Sequence, residues 1–482
     1  MGGGRALCCD HAPVKDLRPF FSPCSVAVVG AGERATSSGG AVLKNLGASG
    51  FTGRIVPVNP RGGTIQGNEA KTSLREIAEP CDLVVIVVPP PSIPEVVRDA
   101  AASGHRNLLI LPGGFAEAGE EGRRRDAEVR AFAAEKNLVV AGPNCAGIIG
   151  KGFAATFLRD LPKGGGAALI SQSGALAEEA ICASHLRHIP LGTVVSVGNA
   201  MQLGVADYLA HLGDDPDVTS ILLYVESIDD PHRFRDIART VAARKPIVGL
   251  FGGRTPEGGR AAAAHTGATA NTDQAIEAFA EDCGIIRVES MRRLMLAAKG
   301  FGRFPQGFGR RVLLLSNSGG PGVLATDRAA AEKLDLVDLP ERLENVLRQR
   351  LPAEASVANP LDLLADAREE RFAETLYSAL VEDQAFDAIL MIHVVPFMVD
   401  AGPVIAALAP LCREAKLPIM HSMMGTLEQR AAWFRTMEEA GVPRFEDAEA
   451  MAECAGLLAR YPAARARAMA GGDTAPALKG RR

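Results

Sequence analysis

The sequence is poor in aromatic residues and has no long apolar run, and each absence excludes a class of protein. It contains one Trp and four Tyr among 482 residues, too few to build a stacking surface for single-stranded nucleic acid. No apolar segment reaches the roughly 18 residues that a membrane-spanning helix needs, and the N-terminus shows no signal peptide. We therefore expect neither nucleic acid nor a membrane as a partner.

The sequence also lacks an excess of basic charge and any paired cysteine spacing. Its formal net charge is −5, so no basic field favours nucleic acid or anionic lipid. The nine Cys are odd in number and show no C-x-x-C spacing, and the nine His show no metal-ligand spacing. These patterns predict reduced thiols, a cytoplasmic protein and no metal site.

Glycine is abundant, with 51 residues, many of them directly after apolar runs. That arrangement is typical of α/β units with tight strand-to-helix turns. The first part of the chain alternates helical stretches with predicted strands at 24–29, 54–58, 83–88, 107–111 and 138–141. Two further units of this kind have predicted strands at 167–170, 193–197, 220–225, 246–251, from 311 onward, 388–394 and 418–420. The alternation predicts parallel, doubly wound sheets.

An internal repeat supports this organisation. LISQSGALA at 169–177 matches LLSNSGGPG at 314–322 in residue type, which indicates two related folds in tandem. We predict domains at 1–150, 151–305 and 306–465, followed by a flexible Ala-, Arg- and Gly-rich tail at 466–482.

A phosphate-bearing ligand is predicted at the Gly30-Ala31-Gly32 turn, which follows the first strand. Glycines there allow close approach of the backbone, and the next helix directs free N–H groups at a phosphate. The third glycine of a dinucleotide fingerprint is missing, because Ala35 occupies its position. Asn59 ends the second strand where an NAD site has an acidic residue, so NAD is not favoured. A turn without ligand stays open as the alternative.

Two serine-rich turns also lie between a strand and a helix: Ser171-Gln172-Ser173-Gly174 and Ser316-Asn317-Ser318-Gly319. Serine caps helices well, and its hydroxyl can also donate to an anion near the positive end of the helix dipole. A single turn of this type is more often only a cap. The presence of two related copies favours a shared role in binding one phosphoryl group.

His265 lies in AAAAHTGATA, between small residues that leave the imidazole room to be approached and to move. A neutral imidazole nitrogen can accept a phosphoryl group. Glu226 ends a predicted strand at the sheet edge where such folds bind ligands, and its carboxylate could orient the imidazole. The alternatives are a plain surface histidine and a plain loop acid. Cys145 in GPNCAG is predicted to be structural.

Taken together and in order, several motifs over about residues 18–460 resemble the alpha subunit of ADP-forming acetyl-CoA synthetases, relatives of succinyl-CoA synthetase. They are VAVVGAGE, RIVPVNP, DLVVIVVPP, LPGGFAEAGEEG, GPNCAG, LISQSGALA, VSVGNA, LLYVESI, AAAAHTGA, SNSGGPGVLATD and NPLDL. The resemblance implies a Rossmann-like CoA-binding domain followed by two flavodoxin-like doubly wound domains.

The resemblance also assigns site residues. His265 matches the phosphorylated histidine and Glu226 the glutamate that steadies it. The two serine turns match helix N-termini that hold the phosphohistidine or free phosphate, with Ser171, Gln172, Ser173, Gly174, Ser316, Asn317, Ser318, Gly319 and Gly320 as the phosphate-binding residues. Coenzyme A would lie against Gly30, Ala31, Gly32, Asn59, Pro60, Val88 and Pro89. Glu33 departs from the family pattern and leaves the detailed CoA contacts open.

The resemblance further implies a partner chain. The sequence ends shortly after its third predicted domain, so we expect a separate ATP-grasp beta subunit that holds ATP or ADP with Mg²⁺, in a heterotetramer. The implied reaction joins a small carboxylic acid to CoA with formation of ADP and phosphate; the acid, and the choice of ADP or GDP, stay open. The alternatives are a non-catalytic CoA-responsive regulator or scaffold and, less favoured, an NAD-linked dehydrogenase.

Overall fold

The computed structural model describes residues 15–260, 271–382, 384–395, 399–425, 429–471 and 478. The chain divides into two compact units, a first unit of Met1–Leu294 with Arg467–Arg482 and a second unit of Met295–Ala466. Each is described by itself. Across the described residues, no helix combines the length and apolarity required to cross a bilayer.

The first unit begins with a five-stranded parallel sheet in the order β2-β1-β5-β6-β7. Its strands are almost continuously apolar and buried, as expected for a sheet covered on both faces. They are β1 (Ser25–Val29), β2 (Arg54–Val58), β5 (Leu83–Ile86), β6 (Asn107–Ile110) and β7 (Val139–Ala141), and a small hairpin is formed by β3 (Thr64–Ile65) and β4 (Asn68–Glu69).

A seven-stranded sheet follows in the same unit, in the order β14-β13-β12-β10-β11-β8-β9. Its core strands are parallel, whereas β8 runs antiparallel to both β11 and β9. The strands are β8 (Gly147–Gly150), β9 (Phe153–Thr156), β10 (Ala167–Ser171), β11 (Leu191–Ser196), β12 (Ser220–Val225), β13 (Ile247–Phe251) and β14 (Ile285–Val288).

The second unit contains one further sheet, in the order β17-β18-β15-β19-β20-β21, with β16 paired to β15. Its central strands β15, β19 and β20 are parallel and buried. The strands are β15 (Arg311–Ser316), β16 (Asp335–Leu336), β17 (Ser356–Val357), β18 (Leu361–Asp362), β19 (Ala388–Val394), β20 (Ile419–Met424) and β21 (Arg444–Phe445).

Helices connect the parallel strands. Those of the first unit are α1 (Arg18–Phe21), α2 (Ser38–Ala48), α3 (Ile93–Ala102), α4 (Gly119–Glu135), α5 (Gly174–Arg187), α6 (Val205–Asp214), α7 (Pro231–Ala242) and α8 (Asp273–Asp282). Then follow α9 (Met291–Arg303), α10 (Gly319–Ala331), α11 (Glu341–Arg350), α12 (Glu369–Val381), α13 (Ala401–Glu414), α14 (Arg430–Glu439), α15 (Ala448–Ala459) and α16 (Tyr461–Ala470). Short 3₁₀ turns lie at Leu74–Glu76 and Pro90–Ser92.

The two sheets of the first unit share one hydrophobic core. It includes Val28 of β1, Phe153 of β9 and Ile170 of β10, all nearly inaccessible to solvent. Burying a side chain of this size stabilises the fold by about 1.5–3 kcal/mol. Because this core is continuous, we expect the two sheets of the first unit to keep a fixed position and orientation relative to each other.

The predicted alternation of strands and helices is confirmed, and several strand bounds agree within one or two residues. Two details differ. Residues 147–156 form the antiparallel pair β8 and β9, which straddles the predicted boundary at 150 and belongs to the second sheet. The helix expected directly after the Gly30-Ala31-Gly32 turn, α2, begins only at Ser38, because residues 33–37 extend the turn.

Candidate functional site

Glu226 lies at the carboxyl end of β12 and is held there by two side chains. The Tyr224 hydroxyl donates to Glu226 Oε1 at 3.0 Å. The Gln172 side-chain oxygen accepts hydrogen bonds from the Glu226 amide at 2.6 Å and from the Ser227 amide at 3.0 Å. These contacts fix both the carboxylate and the backbone that carries it, and we call them the Glu226 clamp.

The chain leaving β13 passes beside this clamp. Gly252 donates its amide hydrogen to the Val225 oxygen at 2.8 Å. A Cβ at Gly252 would lie 3.4 Å from both the Glu226 Cγ and the Tyr224 hydroxyl oxygen. Burial and the neighbouring Glu226 charge raise the pKa of Tyr224 above its usual value. The phenol therefore stays protonated and acts only as a donor toward Glu226.

The first serine turn, residues 171–174, is stabilised by its own side chains. The buried Ser171 hydroxyl donates to the Ser173 oxygen at 2.7 Å and accepts from the Ser173 amide at 3.1 Å. Ser173 caps α5 by accepting from the Leu176 amide at 3.3 Å. The Ser171 hydroxyl is thus engaged within the turn, and the donors left for an anion are the first amides of α5, from Gly174 onward.

The second serine turn, residues 316–320, repeats this pattern in the second unit. The Ser316 hydroxyl donates to the Ser318 oxygen at 2.8 Å and accepts from the Ser318 amide at 3.0 Å. Asn317 takes the place of Gln172: its side chain accepts from the Val394 amide and donates to the Val394 oxygen, both at 2.8 Å. The next residues, Gly319 and Gly320, begin α10. The sequence repeat is therefore also a repeat of hydrogen bonds.

The glycine turn, residues 30–32, has no room for side chains. Gly30 has a φ of +89°, and a Cβ there would lie 2.8 Å from the Val87 oxygen. A Cβ at Gly39, in the first turn of α2, would lie 2.1 Å from the Gly30 oxygen. Gly39 thus gives the close approach of helix and turn that the fingerprint assigns to its third glycine. The sequence has Ala35 at the position of the third glycine, and in the structure the longer turn brings Gly39 to the close contact instead.

Polar side chains brace the glycine turn. Asn59 donates to the Ala31 oxygen at 2.8 Å, and Gln66 donates to the Gly40 oxygen at 3.0 Å. The Glu33 carboxylate accepts from the Gln66 amide at 2.8 Å. This contact ties Glu33 to the β3–β4 hairpin. Of the other predicted CoA contacts, Pro60 follows Asn59 in the chain. Val88 and Pro89 follow β5, and Val88 Cγ1 would lie 3.1 Å from a Cβ at Gly30.

A cavity of about 520 Å³ lies where the two sheets of the first unit meet. Ser38 of the first turn of α2 and Gly174 and Ala175 of the first turn of α5 line it, so two helix N-termini reach the same space. Free amides and aligned dipoles at such termini attract anions. We call this space the α2–α5 cavity; the remaining described lining is Val87, Leu111, Pro112, Gly113, Asn144, Cys145, Ala146, Phe157, Leu158 and Glu178.

Comparison with known proteins places this geometry in a family. Three family profiles match in succession: a CoA binding domain at residues 24–151, a succinyl-CoA ligase like flavodoxin domain at 164–301 and a ligase-CoA domain at 312–471. The chain is 34% identical to the acetate–CoA ligase [ADP-forming] II subunit alpha of Pyrococcus furiosus, over 91% of this chain and 96% of that relative.

The chain belongs to the family of ADP-forming acid–CoA ligases, of the alpha-subunit type. It is also 32% identical to the Archaeoglobus fulgidus acetate–CoA ligase [ADP-forming] I, over 92% of this chain but 64% of that longer relative. A solved Candidatus Korarchaeum cryptofilum dinucleotide-forming acetyl-coenzyme A synthetase 1, in complex with phosphate and ADP, superposes with a TM-score of 0.88 at 29% identity. It covers 94% of this chain and 98% of that one.

Membership in the ADP-forming ligase family confirms the resemblance, the ligase activity and the fold class inferred from sequence: a Rossmann-like CoA-binding domain followed by two flavodoxin-like domains. Of the predicted site residues, the structure brings Glu226 into contact with the first serine turn through Gln172. The second serine turn lies in the other unit. His265 lies outside the described residues.

Glu117, which the sequence analysis did not single out, holds the loop that borders the α2–α5 cavity. Its carboxylate accepts from the Gly114 amide at 2.6 Å and from the Phe115 amide at 3.2 Å, and also from the Asn199 side chain of the second sheet. Burial alone would raise the pKa of Glu117, but the hydrogen bonds from Asn199 and the two amides lower it. A Cβ at Gly113 would meet Glu117 at 2.9 Å, so this loop is tightly held against the α2–α5 cavity.

Cys145 lines the α2–α5 cavity with a buried thiol. Its Sγ contacts the Ile110 oxygen at 3.4 Å, and burial raises its pKa to about 12. A thiol in this state is a poor nucleophile at neutral pH, because the thiolate is the reactive form. This agrees with the structural role predicted from the GPNCAG turn.

Proposed function

We propose that this chain is the phosphohistidine-carrying subunit of an ADP-forming acyl-CoA synthetase. ATP on a partner phosphorylates His265, and the phosphohistidine transfers its phosphoryl group to a carboxylate, giving an acyl phosphate. The CoA thiol then attacks the acyl carbon and releases phosphate. Positioning and charge stabilisation supply most of the catalysis in such a transfer.

The observation that carries this proposal is the Glu226 clamp. The Tyr224 hydroxyl holds the Glu226 carboxylate and the Gln172 side chain holds the Glu226 backbone, at the carboxyl end of a parallel sheet, where such folds bind ligands. The neighbouring strand β13 ends at Phe251, opposite Val225, and the chain continues from there toward His265. A fixed carboxylate can hold one imidazole nitrogen and so present the other to the phosphoryl group.

Coenzyme A fits the first sheet of the same unit. The crowded backbone at Gly30 and Gly39 and the start of α2 at Ser38 form an anion-binding turn. We propose that the CoA phosphates lie on this turn and that the thiol enters the α2–α5 cavity. The first amides of α5 would hold the phosphate there, and the second serine turn would provide a further phosphate-binding helix start.

We propose that the partner is an ATP-grasp beta subunit, which would hold ATP or ADP and the accompanying Mg²⁺. The length comparison supports this assignment, since one relative is an alpha subunit of similar length and another is a longer polypeptide in which the region similar to this chain makes up 64%. A heterotetramer, the assembly implied by the resemblance, is the form to be tested. The domain boundaries predicted from sequence remain part of this proposal.

The test is to purify the chain from its host with the proteins that accompany it and add γ-labelled ATP with magnesium. We expect an acid-labile, base-stable phosphate on His265 that is lost when a carboxylic acid is added. His265→Ala should abolish the label and turnover while CoA affinity stays nearly unchanged. Glu226→Gln should slow labelling, whereas Glu281→Gln, an exposed acid on α8, should not.

Turnover retained in His265→Ala would exclude the phosphohistidine mechanism. If no ATP-grasp chain accompanies the protein and nothing is labelled, a CoA-responsive regulator becomes the better interpretation. An unchanged labelling rate in Glu226→Gln would remove only that residue from the mechanism.

A further inference from the structure

The α2–α5 cavity has a single side-chain N–H donor group among its described lining residues, the amide of Asn144, and no Lys, Arg or His. The chemistry proposed for this cavity nevertheless places negative charge on a carbonyl oxygen, when the CoA thiol attacks the acyl phosphate. Enzymes stabilise such an oxygen with hydrogen-bond donors that are already in position. The choice of donors in this cavity is small.

The backbone amides of residues 144–146, in the wall of the cavity, are all engaged within the protein. They donate, in chain order, to the Pro112 oxygen at 2.9 Å, the Leu111 oxygen at 3.1 Å and the Ser196 hydroxyl at 2.9 Å. These amides cannot serve a reacting oxygen without breaking an existing hydrogen bond. They do fix the backbone from which the Asn144 side chain extends, and the donor that remains on this segment is its Nδ2.

A carboxylate two side chains away sets the orientation of the Asn144 amide. The ionised Glu117 carboxylate only accepts hydrogen bonds, so the group that Asn199 directs at it is Nδ2. The Oδ1 of Asn199 then faces Asn144, whose Nδ2 donates to it at 3.2 Å. Glu117 is itself held by the Gly114 amide at 2.6 Å. Because Nδ2 carries two hydrogens, one hydrogen of Asn144 is left for a ligand.

Asn144 lies close to the start of α5, where the phosphate is proposed to bind. Gly174 begins α5, and a Cβ there would lie 3.1 Å from the Cβ of Ala146, two residues beyond Asn144. Ser38, in the first turn of α2, lines the same cavity. During the reaction the acyl carbon is bonded to both the phosphate and the CoA sulfur. We therefore expect its oxygen to come within reach of the Asn144 side chain.

The backbone of Asn144 is in the left-handed region, with a φ of +57°. Residues with a side chain rarely adopt this conformation, although Asn does so more readily than most. Glycine would adopt it without strain. Non-glycine residues held in this region cluster at functional sites, and the Asn144 side chain lines the cavity. The position therefore keeps a side chain where the backbone alone would favour none.

We propose that Asn144 is a catalytic residue of thioester formation, whose Nδ2 donates to the oxyanion of the tetrahedral intermediate. The CoA sulfur bonds to the acyl carbon, and the carbonyl electron pair moves onto the oxygen that Asn144 holds. The pair returns as the bond from carbon to the phosphate oxygen breaks, and the thiol proton passes to the departing phosphate. Asn199 and Glu117 are positioning residues that act through Asn144. This inference rests on the proposed function, because it takes the acyl phosphate to react in this cavity.

The test uses the complex purified with its ATP-grasp partner and whichever of acetate, isobutyrate and phenylacetate discharges phosphorylated His265 fastest. Rapid quench follows three steps: labelling of His265 by ATP, its discharge by the acid without CoA, and formation of acyl-CoA once CoA is added. We expect Asn144→Ala to slow the third step by roughly a hundredfold or more. The first two steps and the CoA affinity, measured by calorimetric titration, should change by less than about threefold, because the lost contact exists only in the transition state.

Three further substitutions separate the side chain from its backbone and its partners. Asn144→Gly removes the amide and suits a φ of +57°, so it should slow the third step as Asn144→Ala does. Asn137 is exposed, has a φ of +53° and does not line the cavity, so Asn137→Ala should leave all three steps unchanged. Asn199→Ala lets the Asn144 amide turn and should slow the third step by roughly tenfold.

Acyl-CoA formation at the unchanged rate in Asn144→Gly would overturn the inference. So would an equal slowing of all three steps, which is the result that a purely structural role predicts. The proposed function survives both outcomes as long as His265 is labelled in the unchanged protein. By contrast, absence of label on His265 and of acyl-CoA from all three acids would overturn the proposed function and this inference with it.

Discussion

Tyr224 and Glu226 lie two residues apart at the end of β12, and the Tyr224 hydroxyl donates to Glu226 Oε1 at 3.0 Å. Side chains two apart on a strand point to the same face, so the sequence itself places this donor beside this acid. Because burial raises the pKa of Tyr224, the hydrogen bond persists throughout the neutral range.

The first prediction concerns this contact. Tyr224→Phe removes a donor to a charged acceptor, an interaction that contributes about 1.5–3 kcal/mol. We expect phosphorylation of His265 to slow by roughly tenfold or more, measured by rapid-quench labelling with ATP. Tyr208→Phe is the matched control, because the buried Tyr208 hydroxyl has no hydrogen-bond partner. A wild-type rate in Tyr224→Phe would show that Glu226 is oriented without it.

A second prediction tests the shared architecture of the two serine turns. Asn317→Ala deletes two hydrogen bonds that join β15 to β19 and leaves the Val394 amide and oxygen without these partners. We expect the free energy of unfolding to fall by about 1–3 kcal/mol, measured by urea titration followed through the single tryptophan, Trp433, which packs in the same unit. Asn345→Ala, on an exposed helix position, should change it by less than about 0.5 kcal/mol.

Much of the fold could be predicted from sequence because its central strands are apolar and bounded by turn residues. The bounds of β2, β12 and β19 were predicted as the structure has them. The hairpin of β8 and β9 was missed, since GIIG and FAAT are short runs of small residues with little β signal. Its strands are held by pairing with β11 and with each other, which sequence patterns do not reveal.

The sequence predicted where the candidate site lies. It did not predict which of the polar side chains bind the backbone and which are left for a ligand. A serine hydroxyl or an amide can bind a ligand or the backbone, and sequence does not distinguish the two. Ser171 proved to hydrogen-bond the backbone of its own turn, and Asn59 the backbone of the glycine turn. Glu117 could not have been found by spacing, because its partner Asn199 is 82 residues away.

A third prediction compares two glycines, Gly30 directly after β1 and Gly47 in helix α2. Gly30→Ala places a Cβ 2.8 Å from the Val87 oxygen in a backbone with a φ of +89°. We expect a loss of more than about 1 kcal/mol of stability and weaker CoA binding, measured by thermal unfolding and calorimetric titration. In Gly47→Ala the added Cβ meets nothing within 4 Å, so helix propensity should raise stability by up to about 1 kcal/mol. Equal effects of the two substitutions would contradict the crowded turn.

The last prediction concerns acid sensitivity in the second unit. His393 and His421 lie on neighbouring strands with ring centroids 6.0 Å apart. Neither nitrogen of His421 has a hydrogen-bond partner, and Nδ1 of His393 also lacks one. Burial lowers the pKa of His393 to about 4, and burial together with the His393 charge lowers that of His421 to about 3.

Both histidines are therefore neutral in the folded protein at pH values where the unfolded chain, with a His pKa near 6.5, already binds protons. The contribution of these two neutral histidines to the free energy of unfolding is fully present above pH 6.5 and is lost as the pH falls toward about 4. The free energy of unfolding then changes by up to about 1.4 kcal/mol per pH unit for each histidine. Urea titrations followed by Trp433 fluorescence between pH 7.5 and 4.5 measure this change in the free energy of unfolding. His421→Leu should flatten this slope and leave stability at pH 7.5 equal or higher, because it removes unpaired buried nitrogens. His232→Gln, on an exposed position of α7, should leave the slope unchanged. A slope in His421→Leu as steep as that of the unchanged protein would mean that other groups cause the acid sensitivity.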